Sequence, residues 1–352
     1  MLNIFKKSEL EKNFKNKIIL ITGGTGTFGK NFLKRLINLD CEIRIFSRDE
    51  LKQDELRNEI NDKKVKFYLG DVRDKESLVS AMINVDYVFH AAALKQVPSC
   101  EFFPMQAIQT NILGSNNVIN LSIKNKVKKL LMLSTDKAVY PINTMGCTKS
   151  LMEKILLSKA RDTNFSSTIL SIVRYGNVIS SRGSVIPLFI NQIKSNKEIT
   201  ITNPMMTRFL LSLENAIDLV SYALKYSQNG EIFIKKSPAC TIKTLADCLI
   251  DIFKSKKGIK IIGERHGEKL FETLATKQEL LRAKENKDFY KIDIDSRDLN
   301  YNSYYTQGYV SDNNKKKKDK DDYTSSNTDI LDFKSLKSFL LTLPEIKKEL
   351  IN

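Results

Sequence analysis

An open α/β sheet, mostly parallel and covered by helices on both faces, is the fold this sequence predicts, with a smaller unit after it. Three observations lead there. From Lys17 to about Asn177, short apolar runs rich in Val, Ile, Leu and Phe alternate with helical segments, and near-continuous apolar strands interleaved with helices belong to a parallel sheet buried on both sides. The first run passes directly into a glycine-rich turn and then a helix, the order in which α/β proteins build a phosphate site. Beyond Asn177 the alternation gives way to stretches that mix Gly, Pro, Arg and apolar residues without a clear period.

The strands are expected at KIILIT (17–22), EIRIFS (42–47), VKFYLGD (65–71), YVFHAA (87–92), KLLMLST (129–135) and SSTILSIVRYG (166–176), joined by short loops. LENAIDLVSYALKY (213–226) has the spacing of an amphipathic helix and EIFIKK (231–236) that of a strand, and the pair is expected to return to the main sheet. The division that follows is a Rossmann-like, doubly wound nucleotide domain over 1–178, rejoined by 213–236, and a C-terminal substrate-binding region over 179–352 with a polar insertion near 311–328. A last short helix is expected near Ser335–Leu341.

Composition narrows the class. With 352 residues, 41% of them hydrophobic, the chain can bury a sizeable core, and no run of 18 apolar residues predicts a membrane span. The start, MLNIFKKSELEKNFKNK, lacks the apolar stretch of a secretory signal, so the cytoplasm is expected. The five cysteines, Cys41, Cys100, Cys147, Cys240 and Cys248, are scattered without a CxxC pair, and His90 and His266 are the only histidines. Neither disulfides nor a metal centre is predicted. The formal charge of +16 raises nucleic acid as a partner, but the lysines are dispersed, and the one dense block, Lys315 to Lys318, is answered by Asp319, Asp321 and Asp322. A polyanionic small substrate explains the charge equally well.

The first strand runs into Thr22-Gly23-Gly24-Thr25-Gly26-Thr27-Phe28-Gly29. Gly23 permits the tight turn, Gly26 lets a pyrophosphate approach the backbone, and Gly29 lets the helix pack on the strand. The helix N-terminus then offers N–H groups and the positive end of its dipole. The spacing is GxxGxxG, and here the chain resembles the extended short-chain dehydrogenase/reductases. At the end of the second strand stand Ser47, Arg48 and Asp49. A hydroxyl and a guanidinium suit a 2′-phosphate, which favours NADP, whereas Asp49 keeps NAD open. Asp71 and Val72 resemble that superfamily's adenine contact, and Ala91, Ala92 and Ala93 its cofactor-facing fourth-strand end.

The fifth strand ends in Ser134-Thr135-Asp136-Lys137, and nine residues after Asp136 comes Met145-Gly146-Cys147-Thr148-Lys149. In the superfamily a Ser or Thr here precedes a YxxxK pair, one helical turn apart and on one face. This chain has Met145 where Tyr is expected, and a thioether can neither give nor take a proton. Cys147 reads as a small packing residue.

The stretches HAAALKQVPSCE (90–101), STDKAVYPIN (134–143), RYGNV (174–178), RGSVIPLF (182–189), MTRF (206–209) and RHGEKL (265–270) resemble the inverting UDP-N-acetylglucosamine 4,6-dehydratases of capsule and O-antigen biosynthesis, a subgroup of which carries Met at this position. The resemblance spans roughly 17–310 and fades in the lysine-rich insertion. It implies that a ketone made at sugar C4 acidifies C5–H, after which a base removes that proton while an acid protonates the departing C6 hydroxyl. It assigns Asp136 as acid and Lys137 as base, with Thr135, Met145 and Lys149 completing the catalytic segment. An acid must start protonated, so Asp136 needs a raised pKa from burial or a neighbouring carboxylate. Asn177, Val185, Thr202, Arg182, Arg208, Arg265 and Glu268 match family positions near the uridine diphosphate, to which guanidinium groups offer forked donors, and Lys95 is a further sugar or phosphate contact. The implied partner is UDP-N-acetylglucosamine or a related UDP-sugar, bound by a homo-oligomer, dimer or hexamer, that pairs through helices near 105–124 and 147–160. Two rivals stand beside this reading: a UDP-sugar 4-epimerase, which returns hydride to C4 and needs no dehydrating acid–base pair, and a non-catalytic NADP-binding regulator, suggested by the missing Tyr and the high charge.

Overall fold

In the computed structural model, which describes residues 12–162, 167–179, 184–295 and 321–351, six apolar runs become the parallel strands β1 Ile18–Thr22, β2 Glu42–Ser47, β3 Val65–Leu69, β4 Tyr87–His90, β5 Lys129–Leu133 and β6 Ile169–Arg174. Three short strands follow outside this set, β7 Ile199–Ile201, β8 Thr207–Phe209 and, back on the sheet, β9 Ile232–Lys235. The remaining strands are β10 Ala239–Thr241, β11 Ile259–Ile261, β12 Thr273–Ala275, β13 Ala283–Glu285, β14 Phe289–Ile292 and β15 Tyr323–Thr324. The main sheet has nine strands in the order β13-β14-β9-β6-β5-β4-β1-β2-β3. Its direction of winding reverses between β1 and β4, and the crevice outside the carboxyl ends of strands at such a switch point is where open α/β sheets bind ligands.

The segment 213–236 returns as the sequence pattern indicates: the helix Leu213–Tyr226 covers the sheet and β9 pairs in parallel with β6. The hairpin β13–β14, which lies in the region expected to form the C-terminal part, also extends the main sheet, antiparallel to β9. Two apolar cores line the two faces of the sheet, one around Ile19, Phe32, Phe89 and Phe233, the other around Leu20, Val88, Leu130 and Ile172. This alternation along β1, Ile19 to one side and Leu20 to the other, is the two-residue period of a strand buried on both faces. A third core, around Phe189, Leu245, Leu249 and Leu340, belongs to the C-terminal part, whose helices are Val185–Lys194, Ile242–Ile252, Phe333–Thr342 and Pro344–Ile351.

Among the described residues no helix is long and apolar enough to cross a membrane, and no group of three His, Cys, Asp or Glu is placed to hold a metal ion. Cys147 is exposed, and the other four cysteines are buried as free thiols. The segment holding Lys315 to Lys318, and most of the polar insertion near 311–328, lie outside the described residues.

Candidate active site

The glycine turn sits at the carboxyl end of β1 and shows why three glycines are needed. Gly23 has φ +67°, and a Cβ there would lie 2.7 Å from the Ala92 nitrogen across the crevice. A Cβ on Gly29 would fall 2.4 Å from the Gly24 Cα, so any side chain would push the helix Thr27–Leu36 off the turn. Gly26 is different: its nearest neighbour would be the Gly23 oxygen at 3.2 Å. It forms the N-cap of that helix, which has no side-chain cap, so the leading N–H groups are left for an anion. Beside the turn opens a cavity of about 570 Å³ whose lining includes Gly23, Gly26, Thr27, Arg48, Asp71 and the run Ala91 to Ala93. Size, glycine backbone and helix terminus together fit a dinucleotide.

Not every side chain expected there faces the cavity freely. Thr22 is fully buried and hydrogen-bonds His90 Nδ1 at 2.6 Å, while His90 Nε2 meets Ser115 Oγ at 2.9 Å; burial pushes this imidazole down to about 3. Phe28 stacks on Tyr175 with ring centroids 5.1 Å apart. Ser47 Oγ pairs with Thr25 Oγ1 at 2.8 Å. Asp49, the candidate for a ribose hydroxyl, instead caps the helix Glu50–Ile60, accepting from the Lys52 N–H at 3.1 Å and pairing with the Lys52 ammonium. Its carboxylate is therefore engaged within its own turn. Arg48 is half exposed and reaches Asp71 Oδ2 at 3.4 Å, and Arg73 holds the same oxygen at 2.6 Å. Val72 is buried against Gly114, whose Cβ would come within 2.8 Å of it.

The second half of the site is built where β5 ends and the helix Thr144–Arg161 begins. Asn143 caps that helix through the Gly146 N–H at 2.8 Å and donates to the Gly267 carbonyl at 2.9 Å, and Glu101 accepts from the Thr144 N–H at 2.6 Å. Gly146 lets the helix press against the turn carrying the acid–base candidates: a Cβ there would stand 2.3 Å from the Lys137 carbonyl oxygen. Met145 is buried with Cys100 and Ala107, and with Leu94 and Val97 beside them, in an apolar pocket of its own. Asn111 fixes the wall opposite, bonding both backbone groups of Leu94 at 2.8 and 2.9 Å and Thr148 Oγ1 at 3.0 Å.

Lys149 is buried, donates to the Leu133 carbonyl at 2.8 Å and lies 3.5 Å from Met152 Sδ. Burial lowers its pKa to about 8, partly opposed by Glu153. Asp136 is wholly buried. Its Oδ1 accepts from Thr135 Oγ1 at 2.7 Å and from Lys137 Nζ at 3.2 Å, while Oδ2 has no partner. Burial raises its pKa; Lys137 opposes this and Glu272 reinforces it. Lys137 also reaches Glu272 Oε1 at 3.2 Å. Burial would strip its proton, but Asp136 and Glu272 together hold the ammonium above the ordinary lysine value. A lysine in that state is an acid, so the base role expected for Lys137 requires that it first lose a proton.

Of the substrate residues, Arg208 comes closest to this centre, 3.9 Å from Glu272 Oε1 and bonded to the Thr207 carbonyl at 2.8 Å. Asn177 and Glu268 each keep one buried, unpartnered oxygen. Arg265 is more than half exposed and 3.9 Å from Glu268. Thr202 lies 3.4 Å from Met206 Sδ, Val185 opens the helix Val185–Lys194, and Lys95 is exposed in the loop after β4. Arg182 lies outside the described residues. The cavity beside the glycine turn stops at Leu94 and Thr110, short of Asp136, Lys137, Met145 and Lys149. Glu272 and Asn111 are the residues that sequence reading missed. Glu272 stands just before the apolar strand Thr273–Ala275, four residues after Glu268, and a carboxylate at such a buried strand edge was the available signal.

The nine-stranded sheet, with its glycine turn and its Lys149 helix, has the fold of the extended short-chain dehydrogenase/reductases. The chain belongs to the polysaccharide biosynthesis protein family, which matches residues 19–294, with that family's C-terminal region over 295–347. A UDP-glucose 4-epimerase of Rickettsia rickettsii (strain Sheila Smith) is 54% identical over 344 residues, covering 96% of this chain and 99% of its own. The X-ray structure of Pen from Bacillus thuringiensis superposes with a TM-score of 0.84 at 37% identity, covering 94% of this chain and 98% of that one. DesIV, a dTDP-glucose 4,6-dehydratase from Streptomyces venezuelae solved with NAD, shares the fold with a TM-score of 0.67 at 18% identity, over 72% and 86% of the two chains.

Proposed function

We propose that this chain is a nucleotide-sugar 4,6-dehydratase that converts UDP-N-acetylglucosamine, or a close UDP-sugar, into a UDP-4-keto-6-deoxy sugar with inversion at C5. The observation that carries the reading is Asp136: a wholly buried carboxyl whose pKa is raised by burial and by a second carboxylate, directly beside a lysine. A C4 epimerisation has no need of a proton donor held in reserve, whereas expulsion of the C6 hydroxyl does.

A bound nicotinamide cofactor would supply the hydride acceptor for C4 and the donor for C6. The N–H groups that follow Gly26 would hold its pyrophosphate, Asp71 and Val72 its adenine side, Ala91 to Ala93 its inner wall, and Lys149 its nicotinamide ribose. Arg48 supports NADP over NAD, because Asp49 is engaged as a helix cap and the exposed guanidinium suits a 2′-phosphate. Lys149, with a pKa near 8, receives the C4 hydroxyl proton directly or through water. Lys137, once neutral, takes the proton from C5, and Asp136 gives its own to the C6 oxygen, which departs as water; a solvent-derived proton then reaches the opposite face of C5, which inverts that centre. Arg208 and Arg265 hold the diphosphate, and Asn177 and Glu268 offer the oxygens they leave unpaired. Exposed Met105, Leu113 and Leu151, on the helices expected to pair, support a homo-oligomer.

A second reading, UDP-glucose 4-epimerase, is favoured by the name carried by the 54% identical relatives. One incubation with UDP-N-acetylglucosamine in heavy water separates the two. Dehydration gives a product lighter by one water with deuterium at C5. Epimerisation gives an unchanged mass with C4 inverted, and that result, with UDP-glucose or UDP-N-acetylglucosamine, would replace the first reading by the second.

A further inference from the structure

We propose that Glu272 is a positioning residue that controls the charge state of the Asp136–Lys137 pair and links it to Arg208. The inference rests on the acid role given above to Asp136. Its basis is a closed set of contacts. Glu272 is 2% exposed, and its backbone is pinned on both sides by Ser325, whose Oγ accepts from the Glu272 N–H at 2.9 Å while the Ser325 N–H donates to the Glu272 carbonyl at 2.8 Å. Its Oε1 is shared by Lys137 Nζ at 3.2 Å and Arg208 Nε at 3.9 Å, and its Oε2 is buried without a partner.

The charged groups around the pair come from each packed element: Lys137 from the turn after β5, Arg208 from β8, Lys269 from the segment before β12, and Glu272 itself. The helix Thr144–Arg161 brings Gly146 against the Lys137 carbonyl. Lys269 is tied to the Val139 carbonyl at 2.7 Å. Two carboxylates facing one ammonium compete for it, and the like charge of one raises the pKa of the other. Burial favours the neutral form of Glu272, but Lys137, Arg208 and Lys269 outweigh it and hold Glu272 low, whereas Asp136 is raised. Glu272 is thus the anion that keeps the acid charged with its proton.

The test reads Asp136 directly. Infrared difference spectra of the cofactor-loaded protein against its Asp136→Asn variant should show a protonated carboxyl band at neutral pH. In Glu272→Gln the pH midpoint of that band should fall by about one unit, since a like charge is removed, and the pH profile of turnover should move to lower pH with it. Glu272→Asp, which keeps the charge but withdraws it by one methylene, should give an intermediate midpoint. It carries the test alone if circular dichroism shows Glu272→Gln to be unfolded. A midpoint in either variant that matches the unmodified protein overturns the role of Glu272. Normal dehydration by Asp136→Asn, by contrast, sinks the acid role of Asp136 and leaves the infrared result standing.

Discussion

Lys149 is buried and Lys137 partly buried, and their surroundings shift the two lysines in opposite directions. Around Lys149 the contacts are a backbone carbonyl and a thioether, so desolvation dominates and the pKa falls to about 8. Around Lys137 two carboxylates stand at 3.2 Å each, and their attraction more than offsets burial. The difference teaches that burial alone does not make a lysine a base. The carboxylates facing it decide the outcome as well: Lys149 is pushed down to about 8, whereas Lys137 is held above the ordinary lysine value.

The sharpest way to break this comparison is at Lys149. Lys149→Ala should lose about a thousandfold or more in turnover at saturating cofactor, because ribose grip and proton acceptor vanish together. In the unmodified protein, a base with its pKa near 8 accepts only when neutral. The rate of C4 oxidation alone, read in a single turnover by absorbance of the reduced cofactor, should therefore rise about tenfold per unit below that value and level off above it. A rate that is flat between pH 6 and 8, about the range where the amine is charged, would assign the proton to another group.

The next effect belongs to the other lysine. Asp136→Asn should slow loss of water about a hundredfold while leaving deuterium exchange at C5 less affected, and Lys137→Ala should suppress both. Mass spectrometry of the product and proton spectra of the C5 position read the two steps separately. Equal losses of both steps in Asp136→Asn would merge the roles that the proposed mechanism assigns to two side chains.

Met145, between the two lysines in sequence, is buried with Cys100 and Ala107. Met145→Ala should cost about tenfold in rate, or about 1.4 kcal/mol of barrier, together with a measurable loss of thermal stability from the cavity it leaves. If Met145→Ala, folded and cofactor-loaded, were as inactive as Lys149→Ala, Met145 would have a part in the chemistry beyond filling space. The smallest effect is expected farthest from the lysines: Arg48→Ala should narrow a preference for NADP over NAD by a few-fold, measured by calorimetry. Equal affinities before the substitution would remove the preference itself.

Much of the scaffold was legible because its causes are local. Apolar runs set the six parallel strands, and the boundaries differ from the structure by a few residues at most, as at 166–176 against Ile169–Arg174. The glycine turn was legible for the same reason: positive φ at Gly23 and the close approach at Gly29 are properties of a few consecutive residues. The missing phenol at Met145 could be read directly. By contrast, the hairpin β13–β14 gave no sign that it would extend the main sheet, because an edge strand chooses its partner by what the rest of the fold leaves open.

The sequence by itself thus determined the strands, the phosphate turn and which side chains stand at the catalytic segment, since periodicity, glycine and residue chemistry act over a few positions. Only the tertiary structure decided how those side chains are charged. Asp49 spans three residues to its cap and ceases to be a free carboxylate, whereas Glu272 reaches Lys137 from a segment remote in the chain, across a 3.2 Å contact. A proton's preference depends on desolvation and on every charge within a few ångströms, and those neighbours are assembled by folding.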